Sequence, residues 1–553
     1  MKWTACYGRA AAALLAALAA AAALVQPASP AQDRSPAAPA AAGLEAGPHG
    51  ASSAASRRPS AILISIDSLR ADHLPFHGYP RLTAPFLNEL VEQGRAAYFR
   101  RVTSVAPSCH PSHATMLTGL YPQQIGVPLC GEDLTIKPSE FDDPADLAEL
   151  EAYQESLRKG PRPLRPGQGG ALMNYMKLPE ETRTLASFYR DRGYRTGGFV
   201  SIWTIQDRFG YGEGFQVYDD EMPEYYGPRA LTWLLRDVFR SQRRREGSVT
   251  VGRALDFLDS VGPGEPFFLF LHLADTHVPY RPPGREGFEE KEDDLRSVRA
   301  AWDRRYAESI RPRAMRRMQR GDGFLLDNYD RAIRHADAQV RRLFEKLEAA
   351  GRLDDTVILL TSDHGDSFGQ HGSGRGGRAG EPFFEHSVQV WEETQGIPMV
   401  LVDPLRGASG SRGVNVSQID IVPTLLSATG WDPREFTEGS VLPGGDILSL
   451  PEEPRTVFFM TFGRGKPGLL KTFSLDYPRY IGFRAGDVKF FMDGERLRRG
   501  AEGECHLYDL SQDPDEKLNQ CGAAGGMEQA ERYRAVVVDW WERSAAPGRA
   551  RRD

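Results

Sequence analysis

Cys109 lies in the segment Pro107-Ser108-Cys109-His110-Pro111-Ser112-His113. Proline suits the first turn of a helix, where its missing N–H costs nothing, so Pro111 predicts a helix opening directly after the thiol. The unpaired N–H groups and positive dipole end of that helix favour a negative group. A nucleophile at residue 109 can therefore attack a tetrahedral anion while the helix start steadies the charge. On these residues alone, a buried structural or disulfide-bonded cysteine is the competing reading.

A second constellation is rich in oxygen ligands. Asp67 ends the apolar run Ala61-Ile62-Leu63-Ile64-Ser65-Ile66, and Asp363-His364 follows Thr356-Val357-Ile358-Leu359-Leu360. Asp67, Asp363 and His364 form a candidate site for one divalent cation. Such ligands favour Ca2+, followed by Mg2+ or Mn2+, over a soft metal. A third run, Pro266-Phe267-Phe268-Leu269-Phe270-Leu271, leads into Asp275-Thr276-His277. Each residue taken singly reads as a capping acid or a satisfied imidazole. Acid or imidazole groups at the ends of three similar runs argue against coincidence.

Near-continuous apolar runs rich in β-branched residues are strands covered on both faces. Helical patterns occupy residues 85–94, 184–193 and 329–351. The alternation predicts an α/β fold with a mainly parallel central sheet flanked by helices, and ligands beyond the carboxyl ends of its strands. The glycine-rich stretch 365–377 predicts a loop closing over that edge, carrying His371 and leading to His386.

Residues 1–32 read as an export signal: Lys2 and Arg9 precede an Ala-rich apolar run and a small-residue cleavage region. The expected location is periplasmic or secreted. Left uncleaved, the run would be an N-terminal membrane anchor. Residues 33–58 are Ala-, Pro- and Ser-rich and predict a disordered linker. A net charge of −7 over 553 residues gives no case for nucleic-acid binding. The basic runs 240–245 and 311–320 read as solvated helix faces. Export permits disulfides, and Cys505–Cys521 would close a short loop, leaving Cys130 to pair with Cys109 or stay a thiol.

The rest divides into a large α/β domain, 59–435, with an insertion at about 130–180, and a smaller C-terminal α+β unit, 436–553. In that unit residues 479–483 and 488–491 predict a hairpin around Ala485-Gly486-Asp487, and 527–542 a helix. Trp540 and Trp541 read as packing residues.

In order and spacing these segments resemble the sulfatase family of the alkaline-phosphatase superfamily. The resemblance is carried by Ile64-Ser65-Ile66-Asp67-Ser68-Leu69-Arg70, Thr83-Ala84-Pro85-Phe86-Leu87 and Cys109-His110-Pro111-Ser112 with Leu117-Thr118-Gly119. It continues through Thr276-His277-Val278-Pro279-Tyr280, Ser362-Asp363-His364-Gly365-Asp366, Asp420-Ile421-Val422-Pro423-Thr424 and His506-Leu507-Tyr508-Asp509-Leu510. The resemblance implies that Cys109 is oxidised to formylglycine by a formylglycine-generating maturase, and that the hydrated aldehyde attacks sulfur. It implies Asp67, Asp363, His364 and residue 109 as metal ligands. His277 would contact the sulfate or the leaving oxygen as general acid, and His386 would lie near the sulfate. His113 completes the implied catalytic set, standing where the family's Cys-x-Pro-x-Arg signal has Arg. Ser68 replaces a second acid, and Val200 and Ile202 stand where a Lys-x-His pair is usual. The oxyanion would then rest more on the metal, the helix start and the histidines.

The activity this implies is hydrolysis of a small-molecule or carbohydrate sulfate ester. A phosphodiesterase or phosphonate monoester hydrolase on the same scaffold is the nearest alternative. A non-catalytic, metal-supported glycan-binding homologue is the alternative from another class.

Overall fold

Buried β-branched and aromatic runs make the strands, and amphipathic segments cover them. The computed structural model describes residues 58–125, 177–222, 244–278, 280, 325–372, 382–387, 389–461, 478–494, 497, 504–523 and 525–544. The predicted signal, the linker as far as residue 57, most of the 130–180 insertion with Cys130, and the basic run 311–320 lie outside the described residues.

In chain order the strands are β1 (Ser60–Ile66), β2 (Ala97–Thr103), β3 (Arg195–Phe199), β4 (Val217–Asp219), β5 (Phe267–Leu273), β6 (Thr356–Thr361), β7 (Ser367–Gly372), β8 (Pro382–Glu385), β9 (Met399–Val402), β10 (Gly410–Ser417), β11 (Thr456–Thr461), β12 (Tyr480–Ala485), β13 (Val488–Asp493) and β14 (Cys505–Asp509). The helices used below are α1 (Pro85–Glu92), α2 (Cys109–Thr118), α3 (Leu185–Arg190), α4 (Gly247–Ser260), α5 (Leu325–Ala349), α6 (Glu392–Gln395), α7 (Ile421–Ala428) and α8 (Gly526–Ser544).

Eight strands form the main sheet in the order β10-β2-β9-β6-β1-β5-β3-β4. Every pairing is parallel except those of β9 with β2 and β6. The three strands read from sequence are the centre of this sheet: β1 pairs with β5 on one side and β6 on the other. Both faces are buried, as such strands require. Ala61 and Leu63 join one apolar cluster, while Ile62, Ile64 and Ile66 join the other. Helix α5 buries Leu326, Tyr329, Ile333, Ala336, Val340, Leu343 and Leu347, a stripe at three- and four-residue spacing. Its Asp337 accepts from the Phe86 and Leu87 N–H groups and so caps α1.

The C-terminal hairpin forms as predicted: β12 and β13 pair antiparallel, Ala485 opposite Val488, within the four-stranded sheet β11-β12-β13-β14. Trp540 of α8 stacks on Phe458 at 4.2 Å and 2°, so it packs.

Two expectations change. The glycine-rich stretch is not a loop as far as Gly372: residues 367–372 are β7, paired antiparallel with β8. Residues 373–381 lie outside the described residues. The end of the first basic run is not solvated either. Arg245 is 6% exposed and pairs with Asp219, while Arg244 donates to the Ala274 and His277 carbonyls. A guanidinium with several donors can satisfy buried carbonyls at once, and that overrides the usual exposure of a charge run.

Candidate active site

The site grows from the ends of β1, β5 and β6 and the start of α2. Ser108 is the extended residue before α2, so Cys109 is its first helical residue and Pro111 its third. The helix therefore opens at the thiol rather than after it. Pro111 still lies in the first turn, where no N–H is missed. Cys109 is a fully buried thiol. Its Sγ is 3.4 Å from His364 Nε2 and 3.9 Å from Asp67 Oδ2.

Asp67, Cys109, Asp363 and His364 are all buried, and one ligand atom from each lies within 4.8 Å of the others. Asp363 Oδ1 accepts from the Ser68 and His364 N–H groups at 3.0 and 2.8 Å. Its Oδ2 accepts no hydrogen bond though buried. A buried carboxylate oxygen left this way costs several kcal/mol unless a cation faces it. Two carboxylates, an imidazole and residue 109 thus fit a divalent cation. His364 Nδ1 points to the Gly365 carbonyl at 2.9 Å, which leaves Nε2 for the ion.

The electrostatics agree. Burial pushes the Asp67 carboxyl up, but His277, His272 and His364 outweigh it and hold it well below the usual carboxylate range. Burial lowers His364 against the pull of Asp363, keeping the imidazole neutral as a ligand must be.

Ser68 has a task of its own. Its φ is +59°, a left-handed turn rare outside glycine. That turn aims its N–H at Asp363 Oδ1, while its Oγ donates to Asp67 Oδ1 at 2.8 Å and its carbonyl accepts from Tyr329 Oη. Ser68 ties the two aspartates together.

The remaining predicted residues fall in two places. His277 and His386 form a second buried group with the thiol: one nitrogen of each ring and Cys109 Sγ are mutually within 4.8 Å. His277 Nδ1 points to the Val278 carbonyl at 2.7 Å, and His386 Nδ1 lies 3.4 Å from Asp366 Oδ1. His113 lies behind the thiol. Its Nδ1 donates to the Cys109 carbonyl at 2.8 Å, so its Nε2, 3.0 Å from Ser65 Oγ, accepts the Ser65 hydroxyl. Burial brings it down to about 4, so the ring stays neutral. His371 is not at this site; it pairs with Glu393 at 2.7 Å.

The sequence reading missed three contributors. His272 on β5 places Nε2 3.5 Å from Asp67 Oδ2. Asp366 backs His386 and accepts from Tyr280 Oη. Gln418 donates to the Ser362 and Asp363 carbonyls and so anchors the metal loop. A polar residue in an apolar strand would have flagged His272; nothing local flags Gln418.

Residues 59–431 match the Sulfatase family profile. An arylsulfatase of Clostridium perfringens is 23% identical over 500 residues, 87% of this chain and 94% of the relative. An ulvan-active sulfatase of Formosa agariphila is 22% identical over 486 residues, 84% of this chain and 77% of the relative. Among solved structures, yidJ of Bacteroides fragilis superposes with a TM-score of 0.61 at 17% identity, covering 90% of this chain and 98% of that one. The profile spans well over half the sequence and includes every residue of the cluster, so the chain belongs to the sulfatase family, hydrolases of sulfuric esters on the alkaline-phosphatase fold.

Proposed function

We propose that this chain is an exported sulfatase that cleaves organic sulfate esters, with carbohydrate sulfates as the first substrates to test. The observation that carries the reading is the buried cluster Asp67–Cys109–Asp363–His364 at the first turn of α2. Asp67, Asp363, His364 and residue 109 would hold one divalent cation, Ca2+ first. Bound there, a cation neutralises the carboxylates and makes an oxygen on residue 109 easier to deprotonate. Conversion of Cys109 to formylglycine by a maturase would supply that oxygen.

The chain's own residues do the rest. The start of α2 places positive potential at residue 109, where a sulfate would carry its charge. With Nδ1 held by the Val278 carbonyl, His277 has Nε2 available to protonate the leaving ester oxygen. His386, oriented by Asp366, faces the same space and steadies a sulfate oxygen. His113 fixes the Cys109 backbone, a positioning role in place of direct contact with substrate. The ulvan-active relative supports a carbohydrate substrate. The Cys505–Cys521 bridge supports export, since disulfides persist in oxidising compartments.

The test combines peptide mass spectrometry of residue 109, metal analysis and turnover of an aryl sulfate and sulfated oligosaccharides. We expect formylglycine, one Ca2+ per chain, and loss of turnover in C109A. An active protein whose residue 109 is an unmodified thiol would overturn the formylglycine step. Metal-independent turnover would overturn the cation.

A further inference from the structure

Cys109 belongs to two clusters, and the second has different chemistry. On one side it meets Asp67, Asp363 and His364; on the other it meets His277 and His386. We propose that, while residue 109 is still a thiol, Cys109, His277 and His386 bind a second, softer metal ion, with Zn2+ best suited to the donors.

The donor set is one sulfur and two imidazoles, the combination zinc prefers, with no carboxylate among the three. Both rings are backed as metal-bound histidines are. His277 Nδ1 is on the Val278 carbonyl, and the His277 carbonyl itself accepts from Arg244. His386 Nδ1 is on Asp366, whose other oxygen accepts from Tyr280 Oη. Such outer partners fix the tautomer and leave Nε2 as the ligand atom. His277 is 5% exposed, and its Nε2 is buried without a hydrogen bond. That polar atom has a burial cost which a metal would remove.

Tetrahedral zinc sets its S and N ligands roughly 3.3–3.6 Å apart, as follows from its bond lengths. The three donor atoms, now within 4.8 Å, need only draw in by roughly 1 Å, a side-chain adjustment. Three protein ligands leave a fourth position open. Replacing sulfur by the oxygens of formylglycine removes the soft donor, so zinc occupancy and conversion of Cys109 oppose each other. This inference needs only the thiol form and does not rest on the sulfate-ester reading.

The test uses the full chain with Cys109 confirmed as a thiol by intact mass, stripped with chelator and reloaded. Saturated with Zn2+ alone, it should retain two ions per chain after desalting. Loaded with Co2+, it should show thiolate-to-cobalt charge-transfer absorption. H277A and H386A should each retain one ion and bind the second at least about tenfold more weakly. One ion per chain in the wild type overturns the proposal, as does unchanged second-ion binding in both variants. If a variant fails to fold, the wild-type stoichiometry still decides. Lack of sulfate turnover in converted protein would sink the proposed function and leave this result untouched.

Discussion

His371 lends itself to a quantitative test. Its Nδ1 lies 2.7 Å from Glu393 Oε1 and its Nε2 3.1 Å from the Asp515 carbonyl. A carbonyl only accepts and an ionised carboxylate only accepts, so both ring nitrogens must carry protons and the ring is an imidazolium. It also stacks on Trp391 at 4.2 Å and 11°. Burial works against the charge, but Glu393, with help from Glu516, outweighs it and pushes the group up from 6.5 to about 9. That rise corresponds to about 3 kcal/mol of folding free energy. Because the folded-state value is raised, that stabilisation is complete below pH 6.5 and is lost as pH rises through about 9.

Glu516 must be separated from this. Burial pushes it up to about 7 against the pull of Lys489, so its contribution also falls with rising pH, between about 4.5 and 7. The window above pH 7 therefore belongs to His371, where the two imidazole values give a loss of about 2 kcal/mol by pH 9. Urea unfolding of wild type and His371→Gln from pH 6 to 9 measures it. The variant should be less stable at pH 6 and nearly flat from pH 7 to 9. A variant that keeps the wild-type slope would refute the imidazolium assignment.

Other expectations concern the site itself. Asp366→Asn removes the carboxylate behind His386, and kcat on an aryl sulfate should fall about 10- to 100-fold with KM little changed; an unaltered kcat would show that Asp366 does not orient the ring. Chelation should lower the unfolding temperature and Ca2+ should restore it, by about 4 kcal/mol at a thousandfold excess over Kd; calorimetry with and without EDTA decides. In Gly365→Ala the added Cβ would meet the Glu393 carbonyl at 2.2 Å, so the metal loop must shift. The expected loss is about 1–3 kcal/mol together with weaker metal binding, read by denaturant titration.

The sequence revealed those parts of the fold whose determinants are local. Apolar runs marked β1, β5 and β6, because a strand covered on both faces has no solvent side to alternate with. The C-terminal hairpin was visible because Ala485-Gly486-Asp487 is a turn between two β-rich runs, and Gly486 does take φ +61°. What remained hidden depends on distant pairing. His371 sits on β7 because that segment pairs with β8, and the glycines around it pointed only to a loop. Arg244 and Arg245 turn inward because carbonyls and Asp219 await them from other elements.

The support beneath the site shows how such pairing makes chemistry. Ser65 lies opposite His272 on one side and Thr361 on the other, so three polar residues stand abreast at the ends of strands that are apolar beyond their first residues. Register, which no single strand specifies, turns three isolated exceptions into one row. His113 descends from α2 onto that row, with its ring 4.9 Å from His272 and Nε2 on Ser65. An arginine in its place would bring a permanent charge into a fully buried layer beside His272, at a cost of several kcal/mol unless it took Asp363, whose Oδ2 is 3.8 Å from His113 Nδ1, as its partner. A neutral histidine supplies the two hydrogen bonds the layer needs and leaves the negative charges of Asp67 and Asp363 to a cation. The choice of His113 and the demand for a metal are therefore two consequences of the same buried charge balance.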